Sequence, residues 1–307
     1  FATIALTLAM AAASACASAT TVGICQLVQH EALDAATQGF KDALTEKMPD
    51  VKFDEQNAAG DAATCVTITS KFAADGVDLI LANATSPLQA AVSATGDIPI
   101  LGTSITDYAT ALGMKEWNGT TGINVSGTSD LAPLDGQASM IQELFPEAKN
   151  IGLLYCSAEA NSVYQITTIK GYLEEMGYTC TEFAFTDSND VASVTQSAAD
   201  SSDVVYIPTD NTAAAYTETI ANVLIPAKVP AVVGEEGICK GCGVATLTIS
   251  YYDLGYKTGE MAYDILANGA DVSTMKIESA PNFTKKYNAV NAEALGLTMP
   301  ADYVAIE

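Results

Sequence analysis

Short unbroken apolar runs alternate along this chain with longer stretches in which apolar residues recur every third or fourth position. Thr21-Val22-Gly23-Ile24-Cys25-Gln26-Leu27 is the first run, and Leu33, Ala36, Phe40 and Leu44 follow it at helical spacing. Val51-Lys52-Phe53 reads as a second strand, Cys65 to Phe72 as a helix and Val77 to Ala82 as a buried strand. Pro87 to Ala94 reads as a helix and Ile98 to Gly102 as a fourth strand. From Asn150 the series starts again. Ile151 to Tyr155 matches the first strand, and Val163, Ile166, Ile169, Leu173 and Met176 form a helix face that Gly177 closes. Cys180 to Phe185 is the next strand, Asp203 to Ile207 matches Asp78 to Ala82, and Val229 to Gly234 matches Ile98 to Gly102. Strand–helix alternation predicts parallel sheets with helices on both faces, and continuous rather than alternating apolar runs predict strands buried on both sides. The expected fold is therefore α/β, in two doubly wound parallel-sheet lobes.

In such sheets a ligand lies beyond the carboxyl ends of the strands. This chain places its uncharged polar groups at those ends. The first half offers Gln26 to His30, then Asn83-Ala84-Thr85-Ser86, then Thr103-Ser104-Ile105-Thr106-Asp107. The second offers Glu159-Ala160-Asn161-Ser162, then Thr209-Asp210-Asn211-Thr212, then Glu235-Glu236. Any one of these groups serves equally as a helix N-cap. Six on the same edge of two lobes, with two or three polar groups each, predict a cleft. Asp210, Glu235 and Glu236 suit an ammonium. Hydroxyls and helix N-termini around Thr85, Ser86, Thr103 and Ser162 suit a carboxylate. Together they fit a zwitterion such as an amino acid.

Charge sharpens this. Of 307 residues, 37 are acidic and 13 are basic, all of the latter lysine, for a net charge of -24. Nothing here could neutralise a nucleic-acid backbone or dock on anionic lipid. Without arginine, an anionic group must be held by backbone N–H groups, hydroxyls or lysines rather than by a guanidinium fork. The one histidine, His30, excludes a multi-histidine metal site and is read as a cleft-rim residue. No G-x-S-x-G elbow, phosphate-binding loop or dinucleotide fingerprint is present, so no enzyme, cofactor or metal is expected. Trp117 reads as a packing or surface residue of a glycine-rich loop.

The apolar opening, FATIALTLAMAAASACASA, reads as the hydrophobic and cleavage parts of an export signal over residues 1–19. Cleavage could follow Ala17-Ser18-Ala19. Alternatively Ala13-Ser14-Ala15-Cys16 is a lipoprotein box with Cys16 lipidated. Six further cysteines in an exported protein favour disulfides. Position along the chain suggests Cys25–Cys65, Cys156–Cys180 and Cys239–Cys242. The last pair also forms a C-x-x-C, for which inert thiols or a structural bridge is the plainer reading than a redox or zinc site.

The motifs VGICQLVQHEALDAATQGF, DLILANATSPLQAA, IPILGTSITD, GTSD, NIGLLYCSAEANSVYQ, VVYIPTDNT, VVGEE and ISYYDLGYKTGEMA resemble those of bacterial ABC-transporter substrate-binding proteins of the tryptophan/tyrosine type. The resemblance covers nearly the whole mature chain and departs from the family in its cysteines, its missing arginine and its acidity. It implies a periplasmic-binding-protein-like monomer, periplasmic or lipid-anchored outside the cytoplasmic membrane. Its hinge would close on an amino acid, often aromatic, for delivery to a membrane permease. It implies chain crossings near Ser126 to Asp130, Ser250 to Asp253 and Ile277 to Pro281. The lobes would then be 20–127 plus 252–278 and 128–251 plus 279–307. The residues expected at the ligand are Gln26, Asn83, Thr85, Ser86, Thr103, Thr106, Asn161, Ser162, Asp210, Asn211, Glu235 and Tyr251. Tyr155, Tyr206, Tyr216 and Tyr251 are candidates for a stacking wall. A sensory receptor component and, at greater distance, an exported enzyme are the competing readings.

Overall fold

The computed structural model describes residues 19–306. The proposed cleavage site and Cys16 therefore lie wholly or partly outside the described residues. The chain begins β1 (Thr21–Gln26), α1 (Glu31–Lys47), β2 (Lys52–Asn57), α2 (Ala62–Asp75), β3 (Leu79–Asn83), α3 (Thr85–Ala94), β4 (Ile100–Ile105), α4 (Tyr108–Leu112) and β5 (Val125–Ser129). It continues α5 (Leu134–Leu144), β6 (Asn150–Cys156), α6 (Ala160–Glu175), β7 (Thr179–Phe185), α7 (Val191–Ser201), β8 (Val204–Ile207), α8 (Asn211–Ala215), α9 (Thr217–Ala227), β9 (Ala231–Val233), α10 (Glu236–Gly241) and β10 (Ala245–Thr248). It ends α11 (Tyr251–Asn268), β11 (Glu278–Ser279), β12 (Thr284–Tyr287), α12 (Ala289–Leu295) and β13 (Val304–Ala305).

Two sheets result. The first has strand order β11-β5-β4-β3-β1-β2 and is parallel throughout. The second has order β13-β12-β10-β9-β8-β6-β7, in which β12, with β13 parallel to it, runs antiparallel to β10. The order turns outward from β1–β3 in one sheet and from β6–β8 in the other, which opens a crevice at the carboxyl ends of those strands. Chain passes between the sheets after β5, after β10 and after β11.

Each sheet is buried on both faces, as the continuous apolar runs require. In the first, Val22, Ile24, Leu79 and Leu81 pack towards α1 and α11, and Cys25, Ile80 and Ala82 pack towards α2 and α3. In the second, Leu153, Val204 and Tyr206 face α5 and α6, while Leu154, Val205 and Ile207 face α7 and α9. The helices begin and end where their sequences say they should. Asp61 caps α2 by accepting from the Thr64 N–H, and Gly76 ends it in the left-handed conformation.

All six described cysteines are free thiols, which corrects the expected disulfides. For Cys156 and Cys180 the reason is geometric. Parallel register puts Cys156 beside Phe185 and Cys180 beside Ile151, at opposite ends of the β6–β7 pair. Five residues of strand, roughly 16 Å, separate them, where a disulfide needs Cα atoms about 5.5 Å apart. Cys239 and Cys242 are both buried within one turn of α10 and its end, and burial pushes both thiols up. Cys25 on β1 and Cys65 on α2 do lie together, as buried free thiols of one core cluster.

Candidate functional site

The carboxyl ends of the two sheets converge on a small cavity, about 290 Å³ with solvent-open space included. His30, Leu33, Ser104, Thr106 and Asp130 line it from the first sheet's side. Asn161, Thr209, Asp210, Asn211 and Glu235 line it from the second, and Tyr251, the first residue of α11, closes the connecting side. No lysine is among the lining residues.

Backbone geometry sets each of these side chains. His30 stands at the N-cap position of α1, Asp210 at that of α8 and Glu235 at that of α10. Asp130 follows the last residue of β5. Ser104 interrupts β4 with φ 57 and Ala84 follows β3 with φ 100, both in a region that residues other than glycine rarely enter. These two strained residues lie side by side, since Ala84 N–H donates to Thr103 O at 3.1 Å. Strain of this kind concentrates at ligand sites.

The cavity is acidic. Asp130, Asp210 and Glu235 are 4, 1 and 2% exposed. Burial raises the Asp130 carboxyl from its ordinary 3.8 to about 6, against the pull of the hydrogen bond from Tyr251. Burial and the nearby Glu159 raise Asp210 to about 7, and burial raises Glu235 to about 7. The three differ in what they already hold. Asp210 accepts Cys156 N–H at 2.7 Å and Ala213 N–H at 2.8 Å. Glu235 accepts Gly237 N–H and Ile238 N–H, each at 2.6 Å. Asp130 accepts Tyr251 O–H at 2.9 Å on one oxygen, and its other oxygen has no partner.

Only five buried side-chain polar atoms lack a partner among the described residues. Three of them, His30 Nδ1, Ser104 Oγ and Asp130 Oδ1, line this one cavity. Buried polar groups are almost always hydrogen-bonded, so three orphans in one small space mark where a ligand's complementary groups belong.

The two sides already touch. His30 Nε2 lies 3.3 Å from Asn211 Oδ1, Gln165 Nε2 lies 3.4 Å from Thr106 Oγ1, and Lys240 pairs with Glu31 at 3.4 Å. Beyond Asn211 a second, wider chamber holds about 1040 Å³, solvent-open space included. Its walls include Leu27, Val28, Ala62 and Ser86 on one side and Ala158, Ala215 and Tyr216 on the other.

Of the sequence-predicted residues, Thr106, Asn161, Asp210, Asn211, Glu235 and Tyr251 meet at the cavity. Gln26 does not: its amide donates to Val28 O and Asp34, and it accepts from Thr37, fixing the turn into α1. Asn83 donates to Leu33 O and Thr37. Thr103 accepts from Thr128, and Ser162 is buried beside Asp210. Thr85 is buried at the start of α3, and Ser86 belongs to the wider chamber. Glu236 turns outward to Lys286 at 2.6 Å. Tyr155 and Tyr206 bond within the second lobe to Glu182 and Gln137, so only Tyr216 and Tyr251 reach the cleft. Ser104 and Thr209 lie in loops the sequence assigned to the cleft but were not among the residues expected at the ligand, Asp130 was read only as the end of a chain crossing, and His30 is a cavity residue as well as a rim one.

Asp210→Ala should therefore act on folding as well as binding. It removes a helix cap and leaves the buried Cys156 N–H unpaired, so lobe stability should fall by about 2 kcal/mol or more, read by urea titration without ligand. An unchanged midpoint would show that the carboxylate has no structural part.

Two parallel α/β lobes meeting at the carboxyl ends of their strands, with a cavity closed between them and its polar atoms unfilled, define a two-lobed binding protein for a small ligand. The chain belongs to the ABC transporter substrate binding protein family, whose model matches residues 21–305. It is 38% identical over 249 residues, 80% of this chain and 72% of the relative, to a tyrosine-binding protein of Clostridioides difficile. Its fold matches the ABC domain in complex with L-Trp from Streptococcus pneumoniae at TM-score 0.88 and 32% identity, covering 92% of this chain and 97% of that one. It matches the ligand-free, open structure of a substrate binding protein with adhesive properties from Clostridium difficile at TM-score 0.71 and 37% identity, covering 94 and 99%. Proteins of this family work outside the cytoplasmic membrane, and among the described residues no helix is long and apolar enough to cross one.

Proposed function

We propose that the protein captures an aromatic amino acid and presents it, lobes closed, to an ABC importer. The observation that carries this is the acidic, closed cavity with three orphaned polar atoms. The relatives supply the ligand class, one being a tyrosine-binding protein and another a complex with L-Trp. The relation of the lobes supports closure. The chain superposes better on the L-Trp complex than on the open relative, although the open relative is the more similar in sequence.

The ligand's ammonium would sit in the cavity, where the lining carboxylates attract it and no lysine competes. Its carboxylate would lie against the N-terminus of α3. Ala84 stands at the N-cap position of that helix and offers no side-chain cap, so the N–H groups of Thr85 and Ser86 are open to an anion, Pro87 having none. The aromatic ring would occupy the wider chamber, against Leu27, Val28, Ala62 and Tyr216. Anchoring at Cys16 and action as a monomer belong to the same proposal.

The test is a thermal-unfolding panel on protein stripped of carried ligand by unfolding and refolding, against each of the twenty amino acids. Ligand at about 100 times its Kd adds roughly 2.7 kcal/mol, which raises the midpoint by roughly 5 °C or more for lobes of this size. A shift confined to aromatic amino acids is expected. No shift with any amino acid would remove the ligand class and leave only the fold and family standing.

A further inference from the structure

We infer that His30 Nδ1, Ser104 Oγ and Asp130 Oδ1 form a tripod of acceptors for a primary ammonium, and that Glu159, acting through Asn211, holds His30 in the tautomer this requires. The inference deepens the amino-acid reading and rests on it for the identity of the ligand, though not for its charge.

Glu159 is buried at the N-cap position of α6. One of its oxygens accepts Asn211 N–H at 3.0 Å and the other accepts Thr212 N–H at 2.9 Å. Backbone N–H groups can only donate, so this carboxylate is an acceptor. The same group lies 2.7 Å from the Asn211 side-chain amide. An amide oxygen that close to a carboxylate would be repelled, so the amide must turn its NH₂ to Glu159 and its oxygen across the cleft. That oxygen meets His30 Nε2 at 3.3 Å. An amide oxygen only accepts, so Nε2 carries the proton. Burial lowers the imidazole's pKa from its usual 6.5, which favours the neutral ring. A neutral ring protonated at Nε2 presents a bare lone pair at Nδ1. That lone pair is one of the three orphans.

The other two agree in kind. Asp130 Oδ1 is an acceptor, and Ser104 Oγ can accept while its own proton turns elsewhere. A primary ammonium donates to all three at once and brings the positive charge that the Asp130 carboxylate favours; a secondary ammonium donates only twice, a hydroxyl once and a carboxylate not at all. The His30–Asn211 contact spans the cleft, so the third acceptor is set in place only when the lobes close. Closure and the reading of the amine are then one event.

Three measurements test this. The first compares affinities of L-phenylalanine, L-tyrosine and L-tryptophan with those of their N-methyl derivatives, which keep the charge and lose one N–H. A loss of about ten-fold or more per derivative is expected. The second is Ser104→Gly. It removes one acceptor and relieves a left-handed backbone that glycine adopts freely, so affinity should fall roughly ten-fold while the ligand-free protein unfolds at the same or a higher temperature. The third uses the fact that the chain has one histidine. Its imidazole ¹⁵N spectrum, in tag-free protein, should show a proton on Nε2 and none on Nδ1 when ligand is bound. Glu159→Gln, which can present its own NH₂ to Asn211, should mix the two tautomers. Equal binding of parent and N-methyl ligands, or a proton on Nδ1 in the complex, would overturn the tripod. If no amino acid binds, 2-phenylethylamine separates the two failures. Its binding would uphold the tripod and remove the zwitterion, and its failure would remove both.

Discussion

Asp130→Asn should weaken amino-acid binding by roughly 2–5 kcal/mol, from about thirty-fold to several thousand-fold, more than any other single change in the cavity. Asparagine fills the same space and can still accept from Tyr251, but it then sets an NH₂ where the free Oδ1 stood, so the loss combines the charge with one acceptor of the tripod. Asp130 is the lining carboxylate whose free oxygen faces the cavity, whereas those of Asp210 and Glu235 are occupied by backbone N–H groups. The empty protein should respond in the opposite direction. In the closed form burial holds Asp130 at about 6, above its ordinary 3.8, and Asp210 and Glu235 at about 7. A carboxyl raised in this way favours the closed state fully below its unburied pKa, and that contribution is lost as pH rises through the raised one. Closure without ligand should therefore be favoured at about pH 4 and disfavoured progressively up to about pH 7. A bound ammonium replaces the protons and removes the penalty. Small-angle scattering should show the ligand-free wild type contracting as pH is lowered from 8 to 5, and Asp130→Asn already partly contracted at neutral pH. Dimensions of the empty protein that ignore pH would sink the claim that these carboxylates resist closure.

What could be read from the sequence divides along physical lines. The strands that cross the middle of each sheet are buried on both faces, so Leu79 to Ala82 and Val204 to Ile207 carry unbroken apolar runs. Edge and late strands carry no such run. Val125-Ser126-Gly127-Thr128-Ser129 is polar at three of its five positions, yet it is β5 and nearly all of it is buried. It can be buried because its hydroxyls are paired. Ser126 donates to Met275 O and Thr128 exchanges a bond with Thr258. Pairing of this kind is a property of the folded chain and leaves no periodicity behind. Asp130 was hidden for the same reason, since it follows a strand whose sequence looked like a crossing loop. Among the polar loops, the sequence located the strand ends but not which side chain turned inward. Gln26 ends β1 and Asp210 lies just past β8, both at the crevice edge of their sheets, yet one fastens α1 while the other faces the cavity. The unpaired state of His30, Ser104 and Asp130, which gives the site its meaning, exists only once every other donor and acceptor has been placed.

Gly255→Ala should cost more folding stability than any cavity substitution, about 3 kcal/mol or more, with a midpoint roughly 6 °C or more below the wild type. The helices α1 and α11 cross with almost nothing between them. A methyl group on Gly255 would overlap the carbonyl of Ala36, one on Gly39 would overlap that of Tyr252, and one on Gly259 would press on that of Phe40. Backbone cannot step aside as a flexible side chain can, so the helices must part. Their separation matters beyond stability, because both helices start at the cavity. His30 is the N-cap residue of α1 and Tyr251 the first residue of α11. Parting them moves Tyr251 from Asp130 and His30 from Asn211, so the variant should also bind more weakly than its residual fold would suggest. Gly171→Ala is the matched control. Gly171 lies inside α6 with open space where its methyl would go, so the same substitution should stabilise by about 0.5–1 kcal/mol through helix propensity alone. Opposite signs for one chemical change, measured by urea titration, would establish that the close crossing of α1 and α11 fixes the geometry of the site. Equal effects would mean that the crossing yields, and that the positions of His30 and Tyr251 are set by the loops before them.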